Sequence, residues 1–123
     1  MELDVRTEVR GDRTVVAAQG EIDLTSCETL RRALDAADDA ATSGTVVDLT
    51  AVSFIDSTGL SVLVDGARHA RGSSREFGVV AGGHLRELLR ITGLDTVMDV
   101  GPTVDSAGGA APPVSAQQDA PRT

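Results

Sequence analysis

Phe54-Ile55-Asp56-Ser57-Thr58-Gly59-Leu60 is the stretch on which the fold turns, because an apolar strand ends within it and an amphipathic helix begins. Upstream, Thr45-Val46-Val47-Asp48-Leu49 reads as a short buried strand rich in β-branched residues, and Val52, Phe54 and Ile55 carry the apolar character to the junction. Downstream, Leu60, Leu63, Val64, Ala67 and Ala70 recur at helical spacing, with Asp65, Arg68 and Arg71 on the other face. The change of period sets the start of the helix near residue 56, where either Asp56 or Ser57 supplies the capping oxygen. Ser57 then lies beside unpaired backbone N–H groups at the positive end of the helix dipole, a place where an anion is tolerated. One cap needs one oxygen, yet Asp56, Ser57 and Thr58 supply three in a row before Gly59.

Outward from this junction the remaining elements follow. Leu3, Val5, Thr7 and Val9 alternate with polar residues, Gly11-Asp12 offers a hairpin turn, and Thr14 to Ala18 forms a second strand that ends in Gly20-Glu21-Ile22-Asp23. Thr25-x-x-Glu28 has the form of a capping box, followed by Cys27, Leu30, Leu34 and Ala37 on one helix face. After Gly44 and the central strand and helix, Phe77 to Ala81 predicts a further strand. Gly82-Gly83 then leads into a short helix with Leu85, Leu88, Leu89 and Thr92 on one face and Gly93 at its C-cap. Val97-Met98-Asp99-Val100 is a candidate last edge strand. The order β-β-α-β-α-β-α predicts a single α/β domain over residues 1–101: a mixed sheet opened by an N-terminal hairpin, with parallel members and helices packed on it. Residues 102–123 carry all four prolines and no apolar periodicity, and read as a disordered Ala/Gly/Pro-rich tail.

Composition removes several classes of function. A chain of 123 residues supports one core. Its formal net charge of −8 argues against nucleic acid and against an anionic membrane surface, because phosphate binding needs clustered cations and no run of arginines exceeds Arg31-Arg32. All 11 cationic side chains are arginine, so there is no lysine for a P-loop, a Schiff base or a lysine general base. The single Cys27 reads as a small core residue, the N-terminus lacks the regions of a signal peptide, and no apolar run approaches the roughly 20 residues that span a bilayer. A soluble cytoplasmic protein is expected.

The motifs also carry a resemblance. Gly20-Glu21-Ile22-Asp23, the strand Val46-Val47-Asp48-Leu49 and Phe54 to Leu60 resemble those of the anti-sigma factor antagonists, a branch of the STAS domain family, in the family's order and spacing over residues 1–101. The resemblance implies a bacterial partner-switching protein, acting in a stress or sporulation response. Its unphosphorylated form would bind an anti-sigma factor that is also a serine kinase, releasing the sigma factor for transcription. Ser57 matches the phosphorylated serine, Asp56 flanks it, Thr58 and Gly59 shape the exposed turn, Leu60 and Ser61 follow in the first helical turn, and Asp23, Leu24 and Thr25 lie close by on the loop after the second strand. The family partners would be the kinase and a serine phosphatase. No cofactor or metal is implied for this chain, the ATP being used by the kinase. Many relatives carry glycine at the position of Ser61. Asp23 keeps two readings, as a cap for the first helix beside Thr25 and as a contact for the partner.

Other classes are less well supported by the residues. A non-switching STAS interaction module would share the fold without phosphorylation. A Ser57 hydrolase would need glycine where Ile55 stands in the Gly-x-Ser-x-Gly elbow, and His69 is 12 residues further along the same predicted helix, about 18 Å by axial rise. His69 reads instead as a solvated helix position and His84 as a polar residue opening the third helix. A receiver-like domain phosphorylated on Asp56 would need further carboxylates converging on a magnesium ion and a lysine, but Glu8 precedes a hairpin and lysine is absent. The chain is expected not to be an enzyme.

Overall fold

The computed structural model describes residues 2–102 and 104. Its elements are β1 (Leu3–Arg10), β2 (Arg13–Ile22), α1 (Cys27–Asp38), β3 (Gly44–Ile55), α2 (Ser57–Gly72), β4 (Glu76–Val80), α3 (Gly83–Ile91), a 3₁₀ turn (Leu94–Thr96) and β5 (Asp99–Gly101). They build one sheet in the order β1-β2-β3-β4-β5, with β1 antiparallel to β2 and every later neighbour parallel. The hairpin turns at Gly11, whose φ of 64° suits the first central position of a two-residue turn. The parallel pairs follow from the helical crossovers, each of which returns the chain to the same end of the sheet.

Alternation along the central strands decides where the core lies. Val16, Ala18, Val47, Leu49 and Val79 point to one face, where they meet Leu30, Leu34 and Ala37 of α1, Val62, Leu63 and Ala67 of α2, and Leu85 and Leu89 of α3. Val46 and Val80 point to the other face and pack with Val104. The remainder of the expected tail lies outside the described residues. At the helix C-termini, the part-buried Arg75 guanidinium donates to Asp38 Oδ1 at 2.8 Å, to the Thr42 carbonyl at 3.2 Å and to Thr42 Oγ1 at 3.0 Å, which ties α1, the loop after it and the end of α2 together.

Four expectations need correction. The capping box does not form: α1 begins at Cys27 with Ser26 as N-cap and no side-chain cap bond, because Asp23 takes over the N–H groups of the preceding turn. The buried stripe of α2 is Gly59, Val62, Leu63, Ala67 and Ala70, while Leu60 and Val64 are only half-buried, since the helix is rotated to bring Gly59 against the sheet. The last strand is Asp99–Gly101, displaced by the 3₁₀ turn, and Met98 is buried rather than part of the edge. His69 is exposed but not merely solvated, its Nε2 lying 2.8 Å from Asp38 Oδ2.

Candidate functional site

The site begins with the irregularity of β3. Between Asp48 and Ala51 this strand advances three residues while β2 advances two, from Ala17 to Gln19, and between Val52 and Phe54 it advances two while β2 advances one. Each extra residue is a bulge, and bulges bend a strand and re-aim its side chains. Past the two bulges Ile55 lies in the core with Val47 and Leu49, while its neighbour Phe54 faces out and is 48% exposed. The Asp56 N–H then donates to the Ile22 carbonyl at 3.1 Å, locking the end of β3 to the end of β2. This bond brings the loop after β2 and the start of α2 side by side.

Asp56 is the N-cap of α2. Its Oδ1 accepts from Thr58 N at 3.0 Å, from Gly59 N at 3.1 Å and from the Thr58 hydroxyl. These donors, led by the Thr58 hydroxyl, hold the Asp56 carboxyl below the usual carboxylate range, against burial and the charge of Asp23. Asp23 does the same in the neighbouring loop: its Oδ1 accepts from Thr25 Oγ1 at 2.7 Å, Thr25 N at 3.0 Å and Ser26 N at 3.1 Å. The Thr25 hydroxyl is again the leading cause of a lowered pKa. The buried Ser26 hydroxyl donates to the Glu21 carbonyl at 2.7 Å and fastens the loop to β2. Because both carboxyls titrate lower in the folded state than in the unfolded chain, the stability they add is present at neutral pH. It is lost as pH falls from the ordinary carboxylate range through the lowered values.

With Asp56 holding the cap, the Ser57 hydroxyl is released from structural duty. Ser57 is exposed at the first position of α2, and among the described residues its hydroxyl has no hydrogen-bond partner. The other candidates separate by depth. Leu24, Thr25 and Ser61 are exposed, with Leu24 at 74%, and the Ser61 hydroxyl donates to the Ser57 carbonyl at 3.0 Å. Asp23, Asp56, Thr58 and Leu60 are half-buried. Gly59 is buried beneath the turn rather than shaping its outer surface: a Cβ there would lie 2.6 Å from both Ile22 Cγ2 and Ile55 Cγ1. Phe54 joins the site only in the structure; its signal in the sequence is the adjacency of two large apolar residues, Phe54 and Ile55, at a strand end, because both cannot face one side. Beside Phe54 a cleft of about 360 Å³ opens between β3 and α3, lined by Val52, Ile55, His84, Leu85 and Leu88 among others.

The arrangement is an exposed hydroxyl on a rigid helix start, two charged carboxylates beside it, and apolar Leu24 and Phe54 in the same region. Such a surface suits protein recognition. The family model described as "Mlab, STAS domain" matches residues 5–101. The chain belongs to the STAS domain family. It is 33% identical to an anti-sigma factor antagonist from Mycobacterium paratuberculosis, with 85% of this STAS chain and 89% of that one covered and a TM-score of 0.77. The fold is also similar to an anti-sigma-factor antagonist (STAS) domain protein from Planctomyces limnophilus (21% identity, 82% and 91% covered, TM-score 0.72). It is likewise similar to the Bacillus cell fate determinant SpoIIAA in its phosphorylated form (20% identity, 83% and 94% covered, TM-score 0.64). No curated protein sequence matched the chain. Among the described residues of this STAS domain no helix is long and apolar enough to cross a membrane. Nor does any group of three or more His, Cys, Asp or Glu side chains form a metal cluster among them.

The structure assigns Asp23 a definite mechanical task, whatever else it contacts. Asp23→Ala is expected to lower the melting temperature of the domain by several degrees, because the Thr25 and Ser26 N–H groups lose their acceptor. Asp23→Asn, which keeps a side-chain oxygen, is expected to recover most of the loss. Circular dichroism melts of the three proteins make the comparison, and an alanine variant as stable as the parent would show that the turn holds without Asp23.

Proposed function

We propose that this STAS domain is an anti-sigma factor antagonist that works by partner switching in the bacterial cytoplasm. Its unphosphorylated form docks an anti-sigma factor with serine kinase activity through Ser57, Ser61, Thr58, Leu60 and the neighbouring Asp23-Leu24-Thr25 loop, and so frees the sigma factor. The kinase uses ATP to phosphorylate Ser57, which ends the complex, and a serine phosphatase restores the binding form. The chain itself contributes a surface and an acceptor hydroxyl, not catalysis.

One observation carries this reading: the Ser57 hydroxyl is exposed and unengaged beside a cap that Asp56 supplies on its own. A kinase can reach it, and its modification breaks no bond within the domain. Leu24 and Phe54 supply apolar area for a docked partner, and the two carboxylates supply charge that favours basic groups opposite them. Ser57→Ala is therefore expected to keep the fold, within about 0.5 kcal/mol as for other surface changes, and to keep partner binding while taking up no phosphate. Intact-mass measurement after incubation with candidate anti-sigma kinases and ATP makes the test. Equal phosphate uptake by parent and alanine variant would refute Ser57 as acceptor, and no uptake by the parent with any such kinase would favour a non-switching interaction module.

A further inference from the structure

β1 is one edge of the sheet, and among the described residues no strand lies beyond it. It is also thinly covered: only Leu3 and Val5 are half-buried, and Val9 is 65% exposed. Arg10 faces Arg13 across the two-residue turn, so Arg10, Glu8, Arg6 and Asp4 exchange backbone hydrogen bonds with β2 by the alternation of an antiparallel ladder. The N–H and C=O groups of Val5, Thr7 and Val9 therefore point to the open edge. Such an edge is a template for another strand.

We propose that this edge joins two copies of the chain, β1 pairing antiparallel with β1 of a second copy about a two-fold axis at Thr7. The residue pattern selects both partner and register. Asp4, Arg6, Glu8 and Arg10 lie on one face of β1, as the Arg6–Asp4 and Arg10–Glu8 pairs at 3.7 Å and 3.1 Å show. Their signs alternate along the strand. With the axis at Thr7, Asp4 stands opposite Arg10 of the second copy and Arg6 opposite Glu8 of the second copy, so every cross-strand pair on this face is of opposite charge. On the other face Val5 meets Val9 of the second copy and Thr7 meets its equivalent, which covers the exposed Val9. Moving the axis to Arg6 sets Arg6 against Arg6 and Asp4 against Glu8, moving it to Glu8 sets Arg6 against Arg10, and parallel pairing in register sets every charge against its like. Like charges directly opposite destabilise a strand pair. Charges on an edge usually keep it single; axes at Val5 or Val9 also oppose unlike charges but pair only two of the four charged residues of each copy, so the register at Thr7, which pairs all four, gains the most attraction.

The geometry leaves the Ser57 turn free. Leu3 pairs with Gly20, so the first residues of β1 lie beside the end of β2 that carries Asp23 and the turn. An antiparallel two-fold at Thr7 consequently sends the two Ser57 turns to opposite ends of the joined sheet, and each copy can be docked or phosphorylated without crossing the other. One strand pair buries little area, so the dimer is a weak one that depends on concentration.

Sedimentation equilibrium of the full chain up to about 1 mM, in low and high salt, tests this. The parent is expected to form a dimer that salt weakens. Arg6→Glu and Glu8→Arg alone each set like charges opposite and are expected to weaken it about tenfold or more, whereas the double variant restores opposite signs and is expected to return to within about threefold of the parent. Circular dichroism shows that each variant is folded. A parent that stays monomeric throughout, a dimer indifferent to both single reversals, or a double variant no tighter than the singles would overturn the assignment.

Discussion

Gly59→Val is expected to lower the melting temperature by roughly 10–20 °C, as about 3 kcal/mol of overpacking does in a domain of this size. The atoms that a Cβ at residue 59 would strike are Ile22 Cγ2 and Ile55 Cγ1, both at 2.6 Å. Both isoleucines are buried, and β-branched side chains are stiff about χ1, so neither can swing aside. The first turn of α2 must lift away from the sheet, which strains the bond from Asp56 N to the Ile22 carbonyl and the cap that depends on it. Gly59→Ala meets the same clash but gains about 1 kcal/mol of helix propensity, and so is expected to fall between the valine variant and the parent. Thermal denaturation followed by circular dichroism gives the order. Two variants melting with the parent would mean that the turn has slack and that Gly59 serves the partner instead.

This result bears on what the motif encodes. The sequence shows a strand-to-helix junction with an excess of polar oxygens, and the fold class, the hairpin, the order of elements and the placing of Ser57 at a helix start all follow from periodicity and turn chemistry. Which oxygen caps the helix does not, because Asp56 and Ser57 are equally able to cap in isolation. The choice is made by the Asp56 N–H bonding to Ile22, a contact between residues remote in sequence. The bulges of β3 are likewise invisible in the sequence, and Phe54, which reads there as part of the apolar run into the junction, is found outside. Thr25-x-x-Glu28 looks like a capping box, yet Asp23 offers the Thr25 and Ser26 N–H groups a nearer acceptor, and the helix starts later. The His69–Asp38 pair joins α2 to α1 and becomes legible only when the two helices lie on one face of the sheet.

Phosphorylation of Ser57 is expected to weaken binding to the anti-sigma factor by two to three decades, which corresponds to about 3–4 kcal/mol. The phosphate brings about −1.5 to −2 charges and considerable bulk to a surface that a partner fits as a small neutral hydroxyl. Partner basic groups that already pair with Asp56 and Asp23 leave none for the phosphate, and desolvating it unpaired costs more than this loss requires. Within the domain the effect is small. The helix dipole favours an anion at the first position of α2, but the two best-placed N–H groups, those of Thr58 and Gly59, already belong to Asp56, and the charges of Asp56 and Asp23 oppose the newcomer. On an exposed position these opposing terms are both modest and both screened by salt. Ser57→Asp adds about one charge and less bulk, and its affinity is expected to fall between those of the unmodified and phosphorylated forms.

The most direct measurement is a pair of experiments on the same two samples, unmodified chain and Ser57 phosphoform: a binding titration against the anti-sigma factor and a calorimetric melt. Affinity is expected to fall by about a hundredfold or more while the melting temperatures agree within about 5 °C and the far-UV spectra coincide. A phosphoform that binds as tightly as the unmodified chain would contradict the switch. A phosphoform that melts far below it would show that phosphate acts by unravelling α2 rather than by closing an interface.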